Sequence, residues 1–175
     1  MLKDELQLTT TSFVVLGLID YLGPSTPYDL KRAIEQSVEN FWPVPHTTFY
    51  AEPARLAGAG HLSERREEGG RRRRLYSLTD AGRQALQDWV AAEDAAPPQL
   101  RDETMLKVFF GADPEPLLRA RRHWHEAKLA ELEGYLQGVR QTDGPPGVER
   151  SLVAGTTYHR MLLELVTSYL GEPAA

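Results

Sequence analysis

Apolar residues recur at helical spacing through most of the first sixty positions. The stretch "TTTSFVVLGLIDYL", residues 9–22, is strongly apolar, and its length favours a buried helix over a strand. After the break "GPSTP", a second helix is predicted to begin at an N-cap, Thr26, and to end near Asn40. A third is predicted from His46 to about Ala59, where glycines stop it.

Between residues 61 and 78 the predicted elements are shorter. There "HLSERR" and "RRRLYSL" predict two strands, with "EEGG" as the hairpin turn, because glycine supplies the positive φ that such turns need. Thr79 is then predicted to cap a fourth helix. Tyr76 and Leu78 are predicted to be core residues that anchor the hairpin, and Trp42 to fill the core ahead of the third helix. Three helices, a hairpin and a helix form the order of a winged helix-turn-helix.

Beyond the connector "DAAPPQL" the chain is predicted to be helical throughout. A short helix carries "MLKVFF", a long one runs from about Pro114 to Arg140, and the last has a broad apolar stripe that includes Tyr158 and Tyr169. Such broad stripes in a short segment indicate a surface buried against another chain. The predicted fold is therefore mainly α with a small β-hairpin wing: an N-terminal winged helix-turn-helix DNA-binding domain, residues 1–94, and a C-terminal helical dimerisation and effector domain, residues 99–175. The candidate roles of the C-terminal helices are to dimerise the protein, to fill a core or to line an effector pocket.

Composition narrows the function classes. The chain has 175 residues, a net charge of −5 and no cysteine, which excludes disulfides, thiolate metal sites and cysteine nucleophiles. No apolar run approaches the roughly 20 residues that span a bilayer, and acids stand where a secretory signal carries bases. We therefore expect a cytoplasmic protein with no membrane partner.

The charge is unevenly distributed. Between Arg55 and Arg83 eight arginines face four acids, a local balance of +4 in an acidic chain. Local charges within about 8–10 Å set the field at a groove, so a basic patch on an acidic body can bind phosphate. The overall charge argues only against indiscriminate binding to nucleic acid.

The basic patch falls on the parts of a winged helix that touch DNA. The third helix enters the major groove, where side chains at its N-terminus reach base edges and its free N–H groups can hold a phosphate, while the wing lies along the backbone or minor groove. The residues predicted to contact double-stranded DNA are His46, Thr47, Thr48, Tyr50, Arg55, Arg71, Arg72, Arg73 and Arg74. The alternatives are a solvated arginine run, a Thr47 that only caps the helix, a half-buried Tyr50 and an Arg55 on the surface.

The ordered set "VVLGLI", "YDL", "FWPVPHTTFY", "RLAGAGHL" and "RRRRLYSLTDAG" resembles the PadR family of transcriptional regulators over about residues 10–94. The resemblance implies a homodimer that binds a palindromic operator, usually as a repressor. The chain departs from the family at Pro27, where glycine is frequent, and at Ala51, where proline often follows the tyrosine. Its proline comes at Pro53, where it is predicted to kink the third helix.

Aromatic residues flank the connector between the two predicted domains. Trp89, Phe109, Phe110 and Trp124 are predicted to bind a small aromatic effector where the C-terminal helices meet the winged domain, and the alternative is that these rings fill a core. The resemblance supports an effector, since some relatives use this region for phenolic or drug-like molecules.

No motif in the chain indicates catalysis. In "HWHE", His123 and His125 are two residues apart, so a helix points them in different directions and lacks the i, i+4 spacing of a zinc pair. G-x-S-x-G, P-loop and GxGxxG motifs are absent, and we expect no metal, no cofactor and no enzyme. The predicted function is a dimeric DNA-binding repressor; the alternative is a winged-helix protein–protein interaction module without DNA binding.

Overall fold

The computed structural model describes residues 7–35, 37–66, 73–93, 97, 99, 101–144 and 146–171. The chain forms two compact units, Met1–Ala95 and Ala96–Ala175. Each unit has its own buried residues and is described by itself.

The N-terminal unit has the element order that the sequence predicts. Its elements are α1 (Thr10–Leu22), α2 (Pro27–Glu35), a 3₁₀ turn (Val38–Asn40), α3 (Thr48–Gly58), β1 (Leu62–Arg66), β2 (Arg74–Leu78) and α4 (Asp80–Ala91). The prediction for the second helix was too long, because α2 ends at Glu35 and the chain then tightens into the 3₁₀ turn. The predicted hairpin turn, residues 67–70, lies outside the described residues.

Side-chain caps explain where these helices begin. The hydroxyl of Thr79 accepts a hydrogen bond from the Gly82 amide at 3.1 Å, and Thr26 and Asp29 bond each other reciprocally, at 2.9 Å from the Thr26 amide and 3.3 Å from the Asp29 amide. Both caps satisfy amides that a helix start leaves without intrahelical partners. The predicted N-caps at Thr26 and Thr79 are confirmed.

The core of the N-terminal unit joins its helices to the wing. Helices α1 to α4 and the wing strands contribute Val15, Leu16, Ile19, Leu30, Ile34, Phe49, Leu56, Leu62, Tyr76 and Leu86. The buried position of Tyr76 confirms that it anchors the wing. The prediction that Trp42 fills the core was wrong: its side chain is 43% exposed, and Val44, two residues later in the same connector, is buried instead.

The two wing strands pair antiparallel, with Leu62 opposite Leu78, Glu64 opposite Tyr76 and Arg66 opposite Arg74. The backbone of β2 also pairs with the segment between α1 and α2. Ser25 and Tyr76 exchange two N–H···O bonds of 2.9 Å each. The root of the wing is thereby bonded directly to the helical part of the unit.

The C-terminal unit consists of α5 (Glu103–Phe109), α6 (Pro114–Gln141) and α7 (Pro146–Tyr169), with α6 packed against α7. The residues it buries are Leu118, His125, Leu132, Leu152, Thr156, His159 and Val166. The apolar stripe predicted on the last helix is only partly buried. Four of its residues are exposed: Tyr158, Met161, Leu165 and Tyr169. In the described part of the chain, no helix is both long enough and apolar enough to cross a membrane.

Candidate nucleic-acid interface

The start of α3 presents polar side chains around one buried anchor. Phe49 is fully buried, whereas His46, Thr47 and Tyr50 are exposed and Thr48 is half-buried. Thr47 is the N-cap residue, but its side chain makes no capping hydrogen bond, so capping does not account for it. Tyr50 is 60% exposed, which also rules out the half-buried alternative in this chain. This helix start therefore offers three polar side chains outward.

The backbone at this helix start does not offer the free amides that the sequence suggested. The amides of Thr48, Phe49 and Tyr50 donate to the carbonyls of Pro45, His46 and Thr47 at 2.9, 3.2 and 3.2 Å. A phosphate held by those three amides would compete with these bonds. The expectation of free backbone amides is therefore not met at Thr48, Phe49 and Tyr50.

An acidic residue stands beside the start of α3. Glu35, the last residue of α2, lies 3.9 Å from His46 Nδ1 and 3.5 Å from Lys31 Nζ. Protonated His46 would pair with this carboxylate as well as with a phosphate. His46 thus has a partner in the free protein that DNA would have to replace or share.

Two arginines of the wing, Arg66 and Arg74, lie around the carboxylate of Glu64. Glu64 of β1 accepts a hydrogen bond from Arg66 Nε at 3.2 Å and another from the Tyr76 hydroxyl at 3.2 Å, and Arg74 Nε is 3.7 Å away. Burial raises the pKa of Glu64, but the bonds from Arg66 and Tyr76 and the charge of Arg74 bring that pKa below its ordinary value. Arg73 and Arg74 are exposed, and Arg71 and Arg72 lie outside the described residues.

Glu64→Gln is expected to raise the affinity of the protein for any duplex by about two- to fivefold. The amide still accepts from Tyr76, but the charge that holds Arg66 and Arg74 is gone, and exposed ion pairs of this kind are worth about 0.2–1 kcal/mol. Fluorescence anisotropy on a random-sequence duplex measures the change. Glu103→Gln, which removes an equal charge from the exposed Glu103–Lys107 pair of α5, is the matched control. Equal affinities for the two variants would contradict this account of Glu64.

Arg55 does not belong with the outward-facing groups. Its Nε donates to Glu52 Oε2 at 2.8 Å, and its Nη2 donates to Ser12 Oγ at 2.9 Å. Its guanidinium is thus engaged between α1 and α3, and a contact of Arg55 with DNA stays a prediction.

The four aromatic residues predicted to bind an effector are all substantially exposed in their own units. Trp89 is 44% exposed and stacks on Phe13 at 4.8 Å between ring centroids. Phe109 and Phe110 are 81% and 76% exposed and meet edge to face at 5.2 Å. Trp124, 57% exposed, covers two buried histidines. Core filling therefore accounts poorly for these rings.

A buried histidine pair in the C-terminal unit was not predicted from the sequence. His125 of α6 and His159 of α7 face each other with Nδ1 atoms 2.8 Å apart, and Arg121 Nε donates to His125 Nε2 at 3.3 Å. Because His125 Nε2 accepts, His125 carries its proton on Nδ1 and donates to His159. Burial, and then the charge of His159, lowers the pKa of His125 to about 4. The two histidines are 34 positions apart in the sequence, which leaves no local signal of this contact.

The two histidines of "HWHE" point in different directions, as the sequence spacing predicts. His123 is 89% exposed, while His125 points inward to His159. Within the residues described, no three His, Cys, Asp or Glu side chains are grouped so that they could hold a metal ion.

Three helices, a two-stranded wing and a fourth helix define a winged helix-turn-helix protein, a class that reads DNA with its third helix. The family model "Transcriptional regulator PadR-like family" matches residues 15–88. The negative transcriptional regulator PadR of Bacillus subtilis (strain 168) is 29% identical over 140 residues, which are 76% of this chain and 76% of that protein.

Solved structures agree with this fold. Bacillus subtilis PadR in complex with operator DNA superposes with a TM-score of 0.80 at 24% identity, covering 93% of this chain and 98% of that one. A PadR-like transcriptional regulator from Bacillus cereus gives 0.78 at 21% identity, with 91% and 95% covered. Bacillus subtilis PadR in complex with p-coumaric acid gives 0.72 at 24% identity, with 91% and 92% covered. These matches confirm the resemblance to PadR-family transcriptional regulators seen in the sequence.

Proposed function

We propose that this chain is a repressor that binds a palindromic operator as a homodimer, through the start of α3 and the wing. The observation that carries the proposal is the uncapped side chain of Thr47, set between exposed His46 and Tyr50 at the point where a winged helix meets base edges. The related PadR of Bacillus subtilis is described as a negative regulator and has been crystallised with operator DNA. An interaction module without DNA binding has no use for this arrangement or for an arginine-rich wing.

The N-terminal unit is the part that reads DNA, and the C-terminal unit supplies the dimer. Exposed apolar residues on α7, among them Met161, Leu165 and Tyr169, are numerous for a helical surface that faces only water. A dimer built there joins two α3 helices, and the half-sites of an operator lie about one helical turn apart. The dimer therefore binds with a higher effective affinity than either half alone.

A small aromatic molecule relieves the repression. Bacillus subtilis PadR has been crystallised with p-coumaric acid, and the exposed rings of Trp89, Phe109, Phe110 and Trp124 suit an aromatic ligand. Allosteric coupling of this kind changes affinity by about 5–150-fold. Tryptophan fluorescence titrated with phenolic acids, alongside operator release, tests it. A panel in which no compound alters both signals overturns this part.

The protein works in the cytoplasm, where the DNA is, and catalyses no reaction.

Two sets of variants test DNA reading directly. Thr47→Ala is expected to relax base preference at one operator position by about 1–3 kcal/mol and to leave the salt dependence unchanged. Arg73→Ala combined with Arg74→Ala is expected to weaken binding to all duplexes alike, and to reduce the log–log salt slope by about 0.9 for each phosphate that the variant no longer neutralises. Anisotropy titrations at several salt concentrations, on operator variants and a random duplex, measure both effects.

Lys107→Ala in α5 is the control for the arginine variants, since it removes an exposed charge from the other unit. It is expected to behave as the wild type. A wild-type affinity that does not change with salt would overturn the proposed function, and so would a Thr47→Ala protein with unaltered base preference.

A further inference from the structure

We propose that Ser12, Glu52 and Arg55 form a positioning cluster that fixes the rotation and depth of α3 on α1 and thereby sets how sharply the protein discriminates between DNA sequences. This inference rests on the proposed function and adds to it three residues that touch no base. Ser12 lies in the first turn of α1, and Glu52 and Arg55 lie in the middle of α3.

The cluster is a closed set of hydrogen bonds. Ser12 Oγ donates to Glu52 Oε1 at 2.7 Å and accepts from Arg55 Nη2 at 2.9 Å. It also accepts from the Thr9 amide at 2.9 Å, within the capping box of α1. Arg55 Nε bonds the second carboxylate oxygen of Glu52 at 2.8 Å. The bonding capacity of the Ser12 hydroxyl is therefore filled by these three partners.

Two members of the cluster are buried where α1 and α3 meet, and Arg55 is half-buried beside them. Ser12 has no exposed surface and Glu52 is 9% exposed. Burial raises the pKa of the Glu52 carboxyl, but the hydrogen bond from Arg55 has the larger effect and holds that pKa below its usual range. The carboxylate therefore stays charged. A charge in such a place is costly unless it is paired and hydrogen-bonded. Any shift of α3 that stretches these bonds leaves a buried charge without full compensation, and the cluster therefore permits one position of the helix.

The remaining contacts of α3 are less selective about its position. Phe49, Pro53 and Leu56 are buried apolar side chains, and apolar contact is non-directional, so a small rotation of the helix costs it little. Hydrogen bonds from α3 to base edges tolerate such a rotation much less, because a hydrogen bond weakens steeply as its angle and distance depart from the preferred values. A helix that can rotate loses its hydrogen bonds to operator bases, while its interactions with phosphates adapt. Directional bonds at Ser12 thus protect discrimination more than overall affinity.

The alternative role for Arg55 is a direct contact with a phosphate of the DNA. The Nε and Nη2 atoms of Arg55 are held by Glu52 and Ser12, so such a contact could use only the Nη1 donors and would leave the bonds of the cluster in place. In the cluster, Arg55 instead acts through Glu52 on the helix as a whole. The two roles predict different salt dependences of DNA affinity. Removing a phosphate-binding group lowers the slope of affinity against salt concentration, and removing a positioning group does not.

The test compares Glu52→Gln and Ser12→Ala with Asp20→Asn, in the full-length chain. Asp20→Asn removes one carboxylate charge from the same unit, at the exposed Asp20–Arg83 pair of 2.6 Å between α1 and α4, without touching α3. The probes are the tightest duplex that the wild type selects from a randomised pool and a scrambled duplex of equal length and composition. Affinities for both are measured at several salt concentrations, together with amide hydrogen exchange of residues 48–58 in the free protein.

For Glu52→Gln and Ser12→Ala, the ratio of selected to scrambled affinity is expected to fall about tenfold, the size of one good base contact. Their salt slopes should match the wild type, and exchange across α3 should become faster. Asp20→Asn should keep the wild-type ratio and exchange. A variant that is only partly folded loses affinity for both duplexes by the same factor, so a general loss of stability leaves the ratio unchanged.

The outcomes separate the two proposals. If the wild type discriminates and both cluster variants keep its ratio, or if Arg55→Gln lowers the salt slope, the positioning role is overturned and the proposed function stands. If the wild type shows no preference for any duplex, both are overturned. Should Glu52→Gln fail to fold, Ser12→Ala still decides, because it retains the Glu52–Arg55 pair.

Discussion

Gly82→Ala is expected to destabilise the N-terminal unit by about 3 kcal/mol, at the upper end of what overpacking costs. A Cβ at this position would overlap the carbonyl oxygen of His61 and would come within 3.0 Å of the Leu78 side chain. The His61 carbonyl cannot easily retreat, because it accepts from the Thr79 amide at 3.2 Å and the Thr79 hydroxyl at 3.0 Å. The methyl group would force α4 away from the root of the wing.

Urea unfolding followed by far-ultraviolet circular dichroism measures this loss. Gly58→Ala is the matched control in the same unit, since a Cβ there meets nothing within 4 Å. Alanine has the higher helix propensity, so that variant is expected to be neutral or more stable by up to about 1 kcal/mol. If the two variants unfold at the same urea concentration, Gly82 does not lie in close contact with the His61 carbonyl.

Acidification is expected to destabilise the C-terminal unit by as much as about 3 kcal/mol through the histidine pair. The pKa of His125 falls from an ordinary 6.5 to about 4 in the folded chain, because burial and the facing His159 disfavour its charged form. Between these values the unfolded chain binds a proton that the folded chain does not. The contribution is therefore complete above about pH 6.5 and is lost as the pH falls toward 4. Burial lowers the pKa of His159 in the same direction.

Thermal unfolding between about pH 7 and pH 4.5 tests the sign and the window. His125→Gln is expected to be less stable than the wild type at neutral pH, but with a flatter pH dependence. His123→Gln removes a histidine that is 89% exposed, two residues away on the same helix, and should keep the wild-type slope. A slope that is equally steep in His125→Gln would show that other groups cause the acid sensitivity.

The parts of the fold that the sequence predicted correctly depend on local chemistry. The caps at Thr26 and Thr79 follow from side chains that bond amides three residues away. Likewise, the hairpin strands were predicted from two short segments on either side of a glycine pair. Each of these interactions closes within a few residues, so the order of residues contains the necessary information.

The misjudged residues are those whose partners lie far along the chain. Trp42 and Val44 both stand in an apolar connector, and only the shape of the assembled core decides that the smaller one is buried. Arg55 pairs with Glu52, three positions earlier, but the bond that ties this pair to α1 comes from Ser12, 43 positions earlier. His125 meets its partner 34 positions later. Of the predicted DNA-contacting residues, the exposed ones at the start of α3 remain in the proposal, since helix geometry alone places them.

The bridge between Ser25 and Tyr76 determines how the wing can open. A two-stranded hairpin is at best marginally stable by itself, but the two hydrogen bonds to Ser25 turn its root into a three-segment sheet. The buried ring of Tyr76 lies in the same core as α1 and α2. The root is therefore part of the cooperative unit that melts with the helices, while fraying begins at the far ends of β1 and β2. The Ser25–Tyr76 bridge thus anchors the described base of the wing, because β2 cannot separate from the segment before α2 without breaking two backbone hydrogen bonds.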